Sequence, residues 1–238
     1  MTSVERALRA AVQKFWKTRA RQSAAQRAHA DRDRGARAAV TGGKQMDGFI
    51  RLARERLLEA GVPAASISVD SRIELPGWFR AEKKWDLVVV HDRELVAAAE
   101  FKSQVGPSFG NNFNNRAEEA IGSATDIWAA FQQGAFRPSA RPFLGYFMLL
   151  EDCEKSRSAV RVAEPHFKVF KEFRGASYGD RYSHLLEKLL RDRLYDGACL
   201  LLSDDSAART GAYAEPNSEL TFAGFIDPLV ERCRRIVG

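Results

Sequence analysis

The sequence predicts an α/β protein with a central mixed β-sheet flanked by helices. Three observations lead there. Apolar residues recur at helical spacing near the N-terminus. Two short β-branched and small apolar runs, separated by a polar turn, follow in the middle of the chain. Further apolar runs beyond them are separated by helical patterns, the layout of strands joined by helical crossovers. The chain has 238 residues, 45% hydrophobic and 29% charged, which suits one globular domain and argues against wholesale disorder.

Val4, Ala7, Leu8, Ala11, Val12, Phe15 and Trp16 make residues 3–30 a long amphipathic helix. Thr41, Gly42 and Gly43 break that pattern. A second helix over residues 45–60 carries Phe49, Leu52, Ala53 and Leu57 and ends at Gly61. Residues 66–75 read as a first strand, closed by a Pro76-Gly77 turn. Residues 85–90 and 95–102 read as two further strands about the polar turn 91–94. Residues 106–115, rich in glycine and amides, read as a loop. A helix then runs through Ala117, Ala120, Ile121, Ala124, Trp128 and Phe131 to about Gly134. Residues 142–150 and 198–202 are apolar strands, with a helix of Leu185, Leu186, Leu189, Leu190 and Leu194 between them. Residues 152–176 carry no clear pattern, and a short helix near 224–236 closes the chain.

The central pair of strands carries chemistry. Side chains alternate faces along a strand, so Glu100 and Lys102 share a face and Phe101 points the other way. A hairpin folded about Arg93 pairs positions whose numbers sum to about 186, which sets Asp86 opposite Glu100 with Cβ atoms roughly 5 Å apart. Two carboxylates that close repel each other. A divalent cation such as Mg²⁺, which takes oxygen ligands and keeps several waters, resolves the conflict with Lys102 beside it. Asp86, Glu100 and the backbone carbonyl of Phe101 are the candidate ligands. Asp86, Glu100 and Lys102 are the candidate catalytic set for phosphodiester cleavage, in which a metal-bound water attacks and the ammonium stabilises the charged phosphate. The alternative is an edge hairpin in which Glu100 and Lys102 form an ordinary ion pair. Apolar surroundings (Ala97, Ala98, Ala99) weigh against it, because a charge there is expensive unless paired or metal-bound.

Charge distribution points to a polyanion. The net charge is +6, and residues 1–40 hold ten basic side chains against Glu5, Asp31 and Asp33, which makes that segment +7. The alternative is a solvated helix face. No apolar run approaches the roughly 20 residues of a membrane helix, and no signal-peptide segment opens the chain, so the expected location is the cytoplasm. Cys153, Cys199 and Cys233 are odd in number and widely spaced, which predicts reduced thiols and no zinc site. His29, His91, His166 and His184 form no useful pair for a histidine-metal nuclease or a serine hydrolase. Gly42-Gly43-Lys44 lacks the spacing and preceding strand of a phosphate-binding loop.

The hairpin resembles the PD-(D/E)xK nuclease superfamily, with Asp86 as the motif's Asp and Glu100-Phe101-Lys102 as its E-x-K. The surrounding segments Glu74-Leu75-Pro76-Gly77-Trp78-Phe79-Arg80, Lys83-Lys84-Trp85-Asp86-Leu87-Val88-Val89 and Ser103-Gln104-Val105-Gly106-Pro107-Ser108-Phe109-Gly110-Asn111-Asn112-Phe113-Asn114-Asn115-Arg116 are similar to the XhoI family of type II restriction endonucleases, as is Gly42-Gly43-Lys44-Gln45-Met46-Asp47. The resemblance runs over about residues 40–150. It implies a PD-(D/E)xK core with an N-terminal basic helical extension, and Mg²⁺-dependent cleavage of double-stranded DNA within a palindromic hexamer, CTCGAG for XhoI-type enzymes. It also implies a homodimer whose twofold axis matches that of the DNA, and a cognate DNA methyltransferase that acts on the same site without needing to bind. Trp85 stands where the superfamily motif has Pro, a structural position away from the metal ligands. A superfamily acid on the helix before the sheet corresponds to Asp47 or Glu55, with Asp47 favoured because it lies in a matching segment. Glu74 is a third possibility. On this reading residues 1–40 are the basic helical arm, 41–150 the catalytic core, and 151–238 complete the sheet and helices of a single domain, 1–238.

Outside the catalytic set, Asn111, Asn112, Asn114, Asn115 and Arg116 follow the catalytic strand directly. Amides pair with adenine edges and guanidinium groups with guanine, so these residues are candidates for DNA contact, against a plain reading as a helix N-cap. Arg80, Lys83 and Lys84 suit phosphate positioning or simple surface solvation. Trp78 and Trp85 read as core or rim packing. Two other functions share these residues: a structure-specific DNA repair nuclease on the same fold, and a catalytically inactive DNA-binding module. Discrete bands from a digested plasmid separate site-specific cleavage from the first, and any cleavage separates it from the second.

Overall fold

The computed structural model describes residues 1–30 and 44–237. In chain order the elements are α1 (Ser3–Ala30), α2 (Asp47–Glu59), β1 (Ile67–Ser68), β2 (Glu74–Pro76), β3 (Glu82–Lys84), β4 (Leu87–His91), β5 (Glu94–Gln104), α3 (Phe109–Gln132), β6 (Phe143–Glu151), α4 (Glu154–Arg157), α5 (Tyr178–Arg191), β7 (Gly197–Ser203), α6 (Ala207–Thr210) and α7 (Phe222–Val237). Five strands form the main sheet in the order β1-β4-β5-β6-β7. β1, β4 and β5 pair antiparallel, whereas β5-β6 and β6-β7 pair parallel, with α3 and α5 as the crossovers. The mixed sheet is the one the sequence implies.

Helices cover both faces, which is why the parallel strands are apolar throughout and not alternating. On one face α1, α2 and α7 pack against Val89, Ala97, Ala99, Phe101, Phe147 and Leu201. On the other, α3 and α5 pack against Val88, Ala98, Tyr146, Met148 and Leu200. Glu100 and Lys102 therefore emerge on the α3/α5 face, and Phe101 goes to the opposite layer. Gly145 lacks a side chain because Phe225 of α7 lies there: a Cβ would sit 2.7 Å from its ring.

Two expectations are corrected. The strand expected over 66–75 is broken. Only Ile67–Ser68 joins the main sheet, because polar Asp70, Ser71 and Arg72 turn the chain away, Arg72 with a left-handed φ of 55°. Glu74–Pro76 then pairs with Glu82–Lys84 in a separate two-stranded ribbon. The loop expected over 106–115 is helical from Phe109 onward. Phe109 stacks on Tyr178 of α5 at 5.6 Å and Phe113 meets Tyr182 edge-on at 5.0 Å, so one face of the first turns is docked despite the low helix propensity of asparagine. The break expected at Thr41, Gly42 and Gly43, and the basic residues Arg32, Arg34 and Arg37, lie outside the described residues.

α1 is helical over the expected range, and its apolar stripe enters the core. Leu8, Val12, Phe15 and Trp16 are buried, and the Trp16 indole N–H donates to Ser203 Oγ at 3.0 Å. An aromatic column runs from Phe15 to Phe49 (6.3 Å) to Phe147 (4.7 Å) to Phe101 (5.4 Å), on the side of β5 opposite Glu100 and Lys102. The basic residues Arg6, Lys17 and Arg21 occupy the exposed side. We predict that Phe15→Ala costs about 3–5 kcal/mol in urea unfolding. Lys17→Ala, on the opposite side of the same helix, should change stability by less than about 0.5 kcal/mol. Similar small losses for both would show that α1 is not part of the cooperative core.

Candidate active site

The β4-β5 hairpin closes through Asp92 and Arg93, both at positive φ (47° and 68°), the two-residue turn whose twist matches that of the strands. Leu87, Val88 and Val89 pair with Ala99, Ala98 and Ala97, and a bulge after Val89 shifts the register near the turn. Residue numbers of the main pairs sum to 186, as the sequence implied, so Asp86 faces Glu100 just beyond the last regular pair. The chain leaves the sheet there, since the Trp85 N–H donates to Ile73 O at 2.9 Å. The Asp86 carboxylate takes the place of a strand partner: its Oδ2 accepts the Phe101 N–H at 2.7 Å. A residue's N–H and carbonyl leave a strand by the same edge, so the Phe101 carbonyl also projects on the Asp86 side.

Glu100 is 3% exposed. Its Oε1 accepts from two ammoniums, Lys102 Nζ at 2.7 Å and Lys83 Nζ at 2.8 Å, while Oε2 is buried with no hydrogen-bond partner. Burial alone would raise the Glu100 pKa, but Lys102 and Lys83 outweigh it and hold the carboxyl below its usual range. Asp86 is different. Burial dominates there and holds its pKa above the usual aspartate value against the pull of Lys102 and the Phe101 N–H. For Lys102 burial is outweighed by Glu100 and Asp86, so its pKa is raised and it stays an ammonium. Glu100 Oε2, the Asp86 carboxylate and the Phe101 carbonyl are a hard-oxygen donor set, which fits a Mg²⁺-type cation.

Lys83 is the residue whose role the sequence concealed. It sits on β3, outside the main sheet, with its ammonium 4.5 Å from the Trp85 ring centroid and on Glu100. Lys83 and Trp85 are two apart and share a face, but only the unforeseen β2-β3 ribbon brings Lys83 over β5. The ribbon's tip is held by Asp126 of α3. Asp126 Oδ1 accepts the N–H groups of Trp78 and Phe79, both at 2.8 Å, and Oδ2 accepts Arg80 Nε at 2.7 Å. Gly77 is needed for this approach, since a Cβ would lie 2.4 Å from Asp126 Oδ2. The tip leaves Trp78 and Phe79 54% and 73% exposed, while Trp85 is in the core. An acid among the buried positions of a helix was the available signal for Asp126.

The other candidates spread out. Lys84 is exposed and pairs with Glu74 at 3.4 Å. Asp47 opens α2 and lines a surface cleft with Arg51, Arg54, Asp70 and Arg72, and Glu55 is exposed. Among the described residues no three His, Cys, Asp or Glu side chains converge as a metal site, so no third acid joins Asp86 and Glu100. Asn111, Asn114 and Asn115 are exposed at i, i+3 and i+4 on the first turns of α3, Asn112 is half-buried, and Arg116 pairs with Glu119. The N-cap is Ser108 and makes no side-chain cap bond, so none of the four amides serves as the cap. Cys199 and Cys233 are buried free thiols.

We predict that Asp126→Asn costs roughly 2–3 kcal/mol, the scale of hydrogen bonds to a charged group. Burial would raise the Asp126 pKa, but the Phe79 and Trp78 N–H groups and Arg80 outweigh it and lower it below 3.8. Its contribution is therefore present above pH 3.8 and lost as pH falls through the lower folded-state value. The stability gap between wild type and Asp126→Asn in denaturant titrations should narrow as pH is taken from about 6 toward about 3. A gap independent of pH would mean the carboxylate charge does not hold the tip.

The family model described as restriction endonuclease XhoI matches residues 25–215, which include the hairpin, the ribbon and α3. The chain is 49% identical over 204 residues to the type II restriction enzyme BstVI of Geobacillus stearothermophilus, covering 84% of this chain and 91% of that protein. It is 45% identical over 192 residues to the type II restriction enzyme XhoI of Xanthomonas vasicola (80% and 77% covered). It is 45% identical over 181 residues to the type II restriction enzyme AbrI of Azospirillum brasilense (75% and 81% covered). No solved structure matches. With most of its length matched by the family model and by relatives at this identity, the chain belongs to the XhoI family of type II restriction endonucleases.

Proposed function

We propose that this endonuclease makes Mg²⁺-dependent double-strand cuts at a short palindrome, CTCGAG, through a PD-(D/E)xK site built on Asp86, Glu100 and Lys102. The observation that carries the reading is the buried Glu100 Oε2 with no partner, on a carboxylate opposite Asp86 at the open end of β4. Asp86, Glu100 and the Phe101 carbonyl would hold the cation. A bound Mg²⁺ supplies a water of lowered pKa and neutralises charge building on the phosphate. Lys102, held protonated by Glu100 and Asp86, donates to a phosphate oxygen and is a poor general base. Burial raises the Asp86 pKa against the pull of Lys102, and a divalent cation beside the carboxylate would act with Lys102 to favour its ionised form. Asp47 remains the proposed accessory acid only if α2 shifts toward Asp86 on binding DNA.

The DNA would lie across the face that carries the exposed amides of α3, Arg116, Arg80 and Lys84, with the basic side of α1 adding sequence-independent attraction. A palindromic site calls for a homodimer with a matching twofold axis. No described helix is long and apolar enough to cross a membrane, and cytoplasmic action beside a methyltransferase of the same specificity completes the reading.

Digesting sequenced DNA with Mg²⁺ and mapping the ends tests the site directly. Discrete ends at CTCGAG are expected, and a smear would favour a shape-directed nuclease. Asp86→Ala, Glu100→Ala and Lys102→Ala should each cut cleavage below about a tenth of wild type, a barrier rise above ~1.4 kcal/mol, while binding to cognate DNA in Ca²⁺ remains measurable. Glu100→Ala above that level would sink the assignment. Replacing exposed Arg6, Lys17 and Arg21 together by Ala should flatten the slope of log affinity against log salt by roughly 0.9 for each phosphate no longer neutralised. An unchanged slope would place that side of α1 away from DNA. Alanine substitutions at Asn111, Asn114 and Asn115 should include at least one that lowers the cognate-to-mismatch binding ratio by about 1–3 kcal/mol without lowering the melting temperature.

A further inference from the structure

The two carboxylates and the two lysines of the site balance each other without any cation. Asp86 and Glu100 supply two negative charges, Lys83 and Lys102 two positive ones, and both ammoniums converge on the same oxygen, Glu100 Oε1. Arg116, the next cation, is already paired with Glu119. A divalent cation entering this arrangement would leave an excess of two positive charges in a site where Glu100 is almost wholly buried, and uncompensated charge in such a place is costly. One ammonium therefore has to move.

The two lysines are not equally free to do so. Lys102 lies on β5 two residues from Glu100 and on the same face, so its stem starts beside the carboxylate on a strand that β6 holds in place. Lys83 reaches Glu100 from the β2-β3 ribbon, which belongs to a different sheet. Its other neighbours are the Lys84 carbonyl, an exposed acceptor at 3.1 Å within the same ribbon, and the Trp85 ring, a partner of low geometric demand that lets a flexible four-carbon stem swing.

We propose that Lys83 is a displaceable ammonium: in the cation-free protein it sits on Glu100 Oε1 and supplies the positive charge that a divalent cation at the unpartnered Oε2 would bring, and it transfers to a DNA phosphate when cation and DNA enter. This rests on the reading of Asp86 and Glu100 as the cation-holding pair. Lys83 then does two opposed things. It stabilises the buried Glu100 while the site is empty of cation, at the expense of cation affinity. It also delivers a positive charge to the backbone beside the scissile phosphate once the phosphate supplies a new negative partner. The entry of DNA and the entry of the cation become coupled, because each makes room for the other.

The test is Mn²⁺ binding to the full chain without DNA, read from the free-ion electron paramagnetic resonance signal, for wild type, Lys83→Met, Lys83→Arg and Glu100→Gln. Lys83→Met removes the charge at nearly constant length and should bind Mn²⁺ at least fivefold more tightly than wild type. It should also cleave cognate DNA at least tenfold more slowly at saturating Mg²⁺. Lys83→Arg keeps the charge and should bind Mn²⁺ no more tightly than wild type. Unchanged or weaker Mn²⁺ binding by Lys83→Met, or equal tightening by Lys83→Arg, overturns the proposal. Should Lys83→Met melt well below wild type, Lys83→Gln gives the same comparison. Glu100→Gln separates the two levels of the argument. If it abolishes Mn²⁺ binding, the cation-holding pair stands whatever Lys83 does. If Mn²⁺ binding is indifferent to Glu100→Gln, the pair is wrong and the proposal falls with it.

Discussion

Placing the charge of Glu100 inside the middle layer is the constraint around which this molecule is arranged. An unpaired carboxylate there would cost several kcal/mol, so ammoniums must come to it. Lys102 arrives from the same strand. Lys83 arrives from the ribbon, the ribbon tip hangs on Asp126, and Asp126 stands on α3. α3 in turn starts where Gln104, four residues beyond Glu100 on β5, donates to the Phe109 carbonyl at 2.9 Å and accepts the Tyr182 hydroxyl. The circuit closes: β5 sets α3, α3 sets the ribbon, and the ribbon returns a charge to β5. A change at any member reaches Glu100 through one or two hydrogen bonds.

The sheet explains why the acids sit where they do. Every interior position of β5 and β6 is covered on both faces, so a carboxylate is tolerable only at the end of a neighbouring strand, where backbone groups are free to answer it. β4 ends at Leu87, and the Phe101 N–H that would have paired with a continued strand is taken by Asp86. The end of pairing, the opposed carboxylates and the outward Phe101 carbonyl are one event in the chain. Behind it, the aromatic column from Phe15 to Phe101 fills the opposite layer and gives β5 a rigid back.

What the sequence disclosed follows from range. Alternation within residues 85–102 was enough to turn Phe101 away from Glu100, and the Asp86–Glu100 pairing follows from a two-residue turn, whose pairs sum to 185, together with the bulge after Val89 that brings the sum to 186. The apolar runs of β6 and β7 and the stripe of α1 were legible for the same local reason. The misses are non-local. Nothing near residues 66–75 says that Asp70 to Arg72 divert the chain into a second ribbon. Asparagine in the first turns of α3 argues against a helix until Phe109 and Phe113 find Tyr178 and Tyr182, some seventy residues on. The roles of Lys83 and Asp126 depend on that ribbon and that helix together, so they could not be read before both were placed.

The two parts that face outward differ in how firmly they are held. α3 is tied at its start through Gln104, in its middle by the Tyr195 hydroxyl on the Ala120 carbonyl at 3.0 Å, and near its end by the Trp128 indole on the Leu194 carbonyl at 2.9 Å. Its exposed amides are thus fixed relative to Glu100 to within the play of a packed helix. The ribbon is a separate two-stranded sheet, tied at its tip by Asp126, through Lys83, and by Leu75 in the α3/α5 layer. A duplex in the wrong register cannot be accommodated by moving α3, so on the proposed reading the misfit falls on the ribbon, and with it on Lys83. Recognition at the amide face and charge at Glu100 are then linked by geometry. A DNA that does not seat on α3 leaves Lys83 without its phosphate, and Lys83 stays on Glu100, where it opposes the cation.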